Sequence, residues 1–181
     1  MPDAPHVDVI VEDDAWGDPS DEIQGAVAAA LRHLGLDPAG YEVSVLACDD
    51  ARISGLNAEF RGKPQPTNVL SWPAVDLRPE APGAAPYPPA PGTPDAPEPL
   101  GDIALARETC AREAAEQGKP LAHHLAHLTV HSVLHLLGYD HETDDDALLM
   151  ERTETAILST MAIPDPYTVA ADLSPSGSRT E

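Results

Sequence analysis

HSVLHLLGYDH, His131 to His141, closes a longer run from Leu121 in which Leu121, Leu125, Leu128, Val133, Leu134 and Leu137 fall on nearly every side of a helix. A helix that is apolar all round is a buried one. The run that opens after Pro120 is therefore expected to be the central helix of the fold. Within it His131 and His135 are four residues apart, so they project from one face, about 40° apart around the axis and one turn along it. Gly138 supplies a residue able to adopt positive φ and stop the helix, which lets the chain turn back and bring His141 to the same point from another direction. Three imidazoles that converge in this way suit one metal ion and leave the fourth tetrahedral position of zinc open, as in catalytic rather than structural sites. His131, His135 and His141 are the expected ligands. Six of the eight histidines lie between His123 and His141, but His123, His124 and His127 lack the return turn and are assigned to packing, supporting or solvent positions.

Outward from this helix the chain reads as a single α+β domain over residues 1–163. HVDVIV (6–11) alternates as a strand with at least one buried face. Asp18 and Pro19 open a helix with an apolar stripe of Ile23, Val27, Leu31 and Leu34, stopped by Gly35. Residues 42–47 form a second strand, 50–60 a helix, and NVLSW (68–72) and GDIALA (101–106) two further strands, giving a small mixed four-stranded sheet packed with helices. A helix over 107–117 ends at Gly118, and Thr143 caps a last helix to about Ile163, with Pro164 beyond it. Met161 falls in that helical run and reads as core. Residues 164–181 are expected to be a mobile tail.

Between the third and fourth strands lies AVDLRPEAPGAAPYPPAPGTPDAPEP (74–99), which holds nine of the chain's 20 prolines. Proline removes a backbone donor and fixes φ. The segment is expected to be an extended, largely disordered loop insertion of polyproline character, either an inert spacer or an arm beside the active cleft. The 181 residues, 42% hydrophobic, suffice for one core. No long apolar run and no basic start followed by an apolar stretch is present, so neither a membrane partner nor a secretory leader is expected, and the cytoplasm is the expected location. Cys48 and Cys110 fit free, buried thiols of a reducing compartment, with a closing zinc ligand as the sharper alternative for one of them.

The ligand spacing resembles the metzincin peptidase signature HExxHxxGxxH, except that Ser132 stands where the general-base glutamate belongs. A hydroxyl does not accept a proton near neutral pH. A second resemblance covers the chain from about its first strand to its last helix. AHLTVHSVLHLLGYDH (126–141) and NAEFRGKPQPTNVLSWP (57–73), with LGDIALA (100–106) in support, are similar to the YbeY-type single-strand-specific endoribonucleases, or rRNA maturation factors. Ser132 replaces a usual glycine, Trp72 a usual phenylalanine, and the 74–99 loop is longer than is usual there. The resemblance implies zinc on His131, His135 and His141 and a functional arginine at Arg61, so that His131 and Arg61 carry catalysis. It implies a single-stranded RNA substrate, maturation of the 16S rRNA 3′ end, ribosome quality control and the small ribosomal subunit as partner. Arg61 would pair with phosphate through its planar fork, and Lys63 would help hold the backbone. Asp140 is placed either to accept a hydrogen bond from a ligand imidazole or to cap the turn. The imidazoles suit one Zn²⁺, and Ni²⁺ or Cu²⁺ equally.

A net charge of −21 opposes phosphate binding. Seven of the ten basic residues (Arg52, Arg61, Lys63, Arg78, Arg107, Arg112 and Lys119) nevertheless lie between residues 50 and 119, and the field at the cleft is what counts. The acidic run Glu142 to Asp146 suits the positive end of the last helix. Three function classes follow: metal-dependent endoribonuclease, zinc metallopeptidase-like hydrolase, and non-catalytic zinc-stabilised ribosome assembly factor.

Overall fold

The structure, a computed structural model, describes residues 4–167. Four strands, β1 (His6–Val11), β2 (Tyr41–Cys48), β3 (Val69–Pro73) and β4 (Glu98–Ala106), form one sheet in the order β1-β2-β4-β3. β1 and β4 run parallel to β2, whereas β3 is antiparallel to β4. The helices are α1 (Ser20–His33), α2 (Asp50–Arg61), α3 (Arg107–Glu116), α4 (Leu121–Leu136) and α5 (Asp144–Thr160). The α+β class and the mixed four-stranded sheet agree with the sequence reading.

The two faces of the sheet are separated by alternation along its central strands. Val43, Val45 and Ala47 of β2 and Ile103 and Leu105 of β4 join the main core with α1, α4 and α5, while Cys48, Ala104 and Ala106 point the other way, into a smaller cluster with Ile53 of α2 and Leu70 of β3. Val130, Val133 and Leu134 of α4 have no exposed surface, as expected of the central helix. α1 begins one residue later than its sequence suggests. Pro19 takes the cap position, and Asp18 instead accepts from the Ser20 amide at 3.1 Å. Thr143 caps α5 as read, accepting from the Asp146 amide.

Up to residue 97 the proline-rich segment joins β3 to β4 without a helix, while Glu98 and Pro99 already open β4, and the loop is tied to the domain rather than free. The Tyr41 hydroxyl donates to the Pro89 carbonyl at 2.6 Å, the Gly92 amide to the Gly40 carbonyl at 2.9 Å, and the Gly83 amide to the Asp146 carboxylate at 2.8 Å. Proline lacks an amide, but its carbonyl still accepts, and the intervening glycines supply the donors. The expected tail divides similarly. Residues 168–181 lie outside the described residues, whereas 164–167 turn back so that Tyr167 reaches α4 and α5.

Candidate metal centre and cleft

α4 delivers His131 and His135 in its last two turns. Gly138 follows with φ 104°, and a Cβ there would lie 2.5 Å from the Leu77 carbonyl oxygen. Only glycine meets both conditions. The turn it makes returns His141, and one ring nitrogen of each of His131, His135 and His141 lies within 4.8 Å of the others. The His131 and His135 rings are 4.5 Å apart between centroids, and His135 and His141 5.0 Å.

The free ring nitrogen of two of these histidines is fixed by what the other nitrogen does. His131 Nδ1 donates to Glu154 at 2.5 Å, and His135 Nδ1 donates to the Tyr139 carbonyl at 3.0 Å. Both partners only accept, so Nδ1 is the donating nitrogen in each ring and Nε2 is the one left for an ion. Burial, with His131 and His141 alongside, pushes the His135 imidazole down to about 4, which keeps it neutral. Three converging imidazoles, two of them anchored through Nδ1, make a donor set that fits a divalent ion of borderline softness.

Glu154 is absent from the sequence reading. It is fully buried on α5, where Met150, Ile157 and Leu158 are also buried. Burial drives its carboxyl up, but hydrogen bonds from His127 and His131 outweigh that and hold it at about 2. His127 Nε2 lies 3.0 Å from Glu154, and the Tyr167 hydroxyl bonds to the same carboxylate oxygen. The anion thus has three donors, as a buried charge requires. An acid inside an apolar stripe at helical spacing was the available signal. His124 is held by Glu113 at 2.8 Å, so neither it nor His127 belongs to the converging set.

The three histidines open into a cleft of about 780 Å³ whose walls include Arg61, Lys63, Ser71, Leu77, Arg78 and Asp140. Arg61 ends α2, where Gly62 turns the chain into the left-handed region at φ 69°. One guanidinium nitrogen donates to the Ser71 carbonyl at 2.8 Å, and the side chain is otherwise exposed. Asp140 accepts from the His141 amide at 2.8 Å and lies 3.9 Å from Arg78. Among the described residues it has no hydrogen bond to a ligand imidazole. Ser132, at the position of the metzincin glutamate, is buried with its hydroxyl unpartnered among the described residues, and it does not line the cleft. Cys48 and Cys110 are free and buried, and burial pushes both thiols up to about 12. Neither joins the histidines.

Residues 13–162 match the protein family described as Endoribonuclease YbeY. Proteins of that name from Dinoroseobacter shibae and Jannaschia sp. are 60% and 56% identical over 163 and 165 residues, which span 89% and 91% of this chain and 90% and 96% of theirs. The one from Ruegeria pomeroyi is 55% identical over 163 residues, 90% of this chain and 98% of its own. The solution structure of TM1509 from Thermotoga maritima shares the fold, with a TM-score of 0.52 at 18% identity over 96% of this chain and 99% of that one. No helix among the described residues is long and apolar enough to cross a membrane.

Proposed function

This chain belongs to the YbeY endoribonuclease family, and from that premise we propose that it is a metal-dependent endoribonuclease that cuts single-stranded RNA, acting in the cytoplasm on ribosomal RNA, the 3′ end of 16S rRNA included, and in ribosome quality control with the small subunit. The observation that carries this reading is one cleft that contains a three-histidine donor set and, on its walls, three unburied cations, of which Arg78 is paired with Asp76 while Arg61 and Lys63 have no carboxylate partner among the described residues. His131, His135 and His141 would hold one ion, zinc by preference and Ni²⁺ as an accepted substitute. The chemistry that a divalent ion supplies there is Lewis-acid polarisation of an oxygen.

The protein's own residues do the rest. Glu154 fixes the His131 ring and places a full negative charge behind it, which raises the basicity of its Nε2. The Tyr139 carbonyl does the same for His135 without a charge. Arg61 is oriented by the Ser71 carbonyl, and its remaining donors are free for two oxygens of one phosphate, where they offset charge that develops as the bond breaks. Lys63 adds a second positive charge along the same wall. Asp140 stiffens the turn that carries His141.

A peptidase reading has the ligand spacing in its favour, but the position of its base is occupied by a buried serine. A non-catalytic assembly factor would need the histidines only as a staple. Metal-free and zinc-reloaded protein should be offered single-stranded RNA, duplex RNA and casein. We expect cleavage of the single strand alone, lost with the metal and regained on reloading. Casein cleavage would replace this reading with the peptidase, and no cleavage by folded, loaded protein would replace it with the assembly factor.

A further inference from the structure

Phe60 is the chain's only phenylalanine, and it is not in the core: 57% of it is exposed. It sits in the last turn of α2, immediately before Arg61. Trp72 braces it in an edge-to-face contact with the ring centroids 5.6 Å apart and the planes at 70°. Trp72 is itself half-buried and packs on the small cluster beneath α2. The brace is tightened next door, where Arg61 donates to the carbonyl of Ser71, the residue before Trp72. Arg61, Lys63 and Ser71 line the histidine cleft, and Phe60 and Trp72, which do not, are the chain neighbours of Arg61 and Ser71, so the ring stands beside the cleft, braced by Trp72 and exposed to water.

An exposed aromatic ring on a rigid support, flanked by two cations, matches the way single-stranded nucleic acid is held: phosphates by the cations and an unstacked base by the ring. We propose that Phe60 is a nucleobase platform, on which one base of the substrate stacks while Arg61 and Lys63 hold the backbone beside it. This rests on the single-stranded RNA reading above and adds a physical source for strand preference. A base inside a duplex has both faces covered by its neighbours and offers none to Phe60, whereas a base in a single strand pays only weak unstacking. The charge pattern selects this occupant. An apolar protein partner would not call for Arg61 and Lys63 at the edge of the patch.

The test uses zinc-loaded full-length protein with Phe60→Ala and Phe60→Trp, on a single-stranded oligoribonucleotide and on copies of it with one base removed at successive positions. Phe60→Ala should raise KM about tenfold, within the range a stacked base contributes, with kcat, zinc content and melting temperature near wild type. Phe60→Trp should restore KM. At one position, base removal should cost wild type the same factor and cost Phe60→Ala nothing. An unchanged KM for Phe60→Ala, or equal sensitivity of both proteins to base removal at every position, overturns the platform. So does sedimentation that shows wild type as a dimer and Phe60→Ala as a monomer, because the ring would then cover a second copy of the chain. If loaded wild-type protein leaves the single strand uncut, the endoribonuclease reading itself has failed.

Discussion

Glu154 makes the sharpest demand on a single side chain, because its charge is buried and serves two histidines at once. Glu154→Gln keeps the shape and removes the charge, and zinc affinity measured by chelator competition should fall about 10- to 100-fold. His135 gives a pH test in metal-free protein. Its folded pKa of about 4 lies below the ordinary imidazole value of 6.5, so the folded state binds fewer protons than the unfolded one. The stabilisation it gives is complete above pH 6.5 and is lost as pH falls through 6.5 towards 4. Melting temperature should decline across that window, and His135→Ala should flatten the decline. Glu154 works in the same sense lower down: its carboxyl at about 2, against the ordinary glutamate value of 4.5, contributes stability that is present above pH 4.5 and lost as pH falls towards 2. Arg61→Lys retains a charge but not the fork, and Arg61→Glu reverses the field. RNA cleavage should drop by roughly one to three orders of magnitude, more for glutamate, with zinc retained. Wild-type rates for both would remove Arg61 from the chemistry.

The converging histidines were legible because their positions follow from helix period and one glycine, both local properties. Glu154 was not read, since its partners lie 23 and 27 residues away and depend on how α5 crosses α4. At the level of elements the same division holds. β1 and the Thr143 cap of α5 stand where their patterns put them, because alternation and capping are written into neighbouring residues. The order β1-β2-β4-β3 depends on long-range pairing. The ties of the 74–99 segment could not be read because its anchors are backbone carbonyls and glycine amides, which composition does not reveal. Its ties give a measurable consequence. Replacing residues 79–96 with a short Gly/Ser linker removes three hydrogen bonds, each contributing about 1 kcal/mol, and should lower the melting temperature by roughly 5–10 °C. Zinc should stay bound, since Leu77 still packs against Gly138. An unchanged melting temperature would mean that those ties contribute nothing.

For the molecule as a whole, a net charge of −21 works against RNA binding away from local clusters of cations. Few phosphates can then be contacted. If Arg61 and Lys63 are the two that count, the slope of log affinity against log salt should be shallow, about −1.4 for a single strand, and Lys63→Ala should reduce it by about 0.7. A slope of −4 or steeper would place other cations on the RNA. The tie between Tyr167 and Glu154 bears on a different clock. A chain made at about 5–20 residues per second, folding from its N-terminus, exposes all three histidines well before residue 167 leaves the exit tunnel. During that interval the carboxylate behind His131 lacks one of its donors, and on the metal-dependent reading the nascent chain would hold an ion less firmly than the finished one. A nuclease made on an RNA machine would thereby acquire its full grip on an ion only after nearly all of the described fold has been translated.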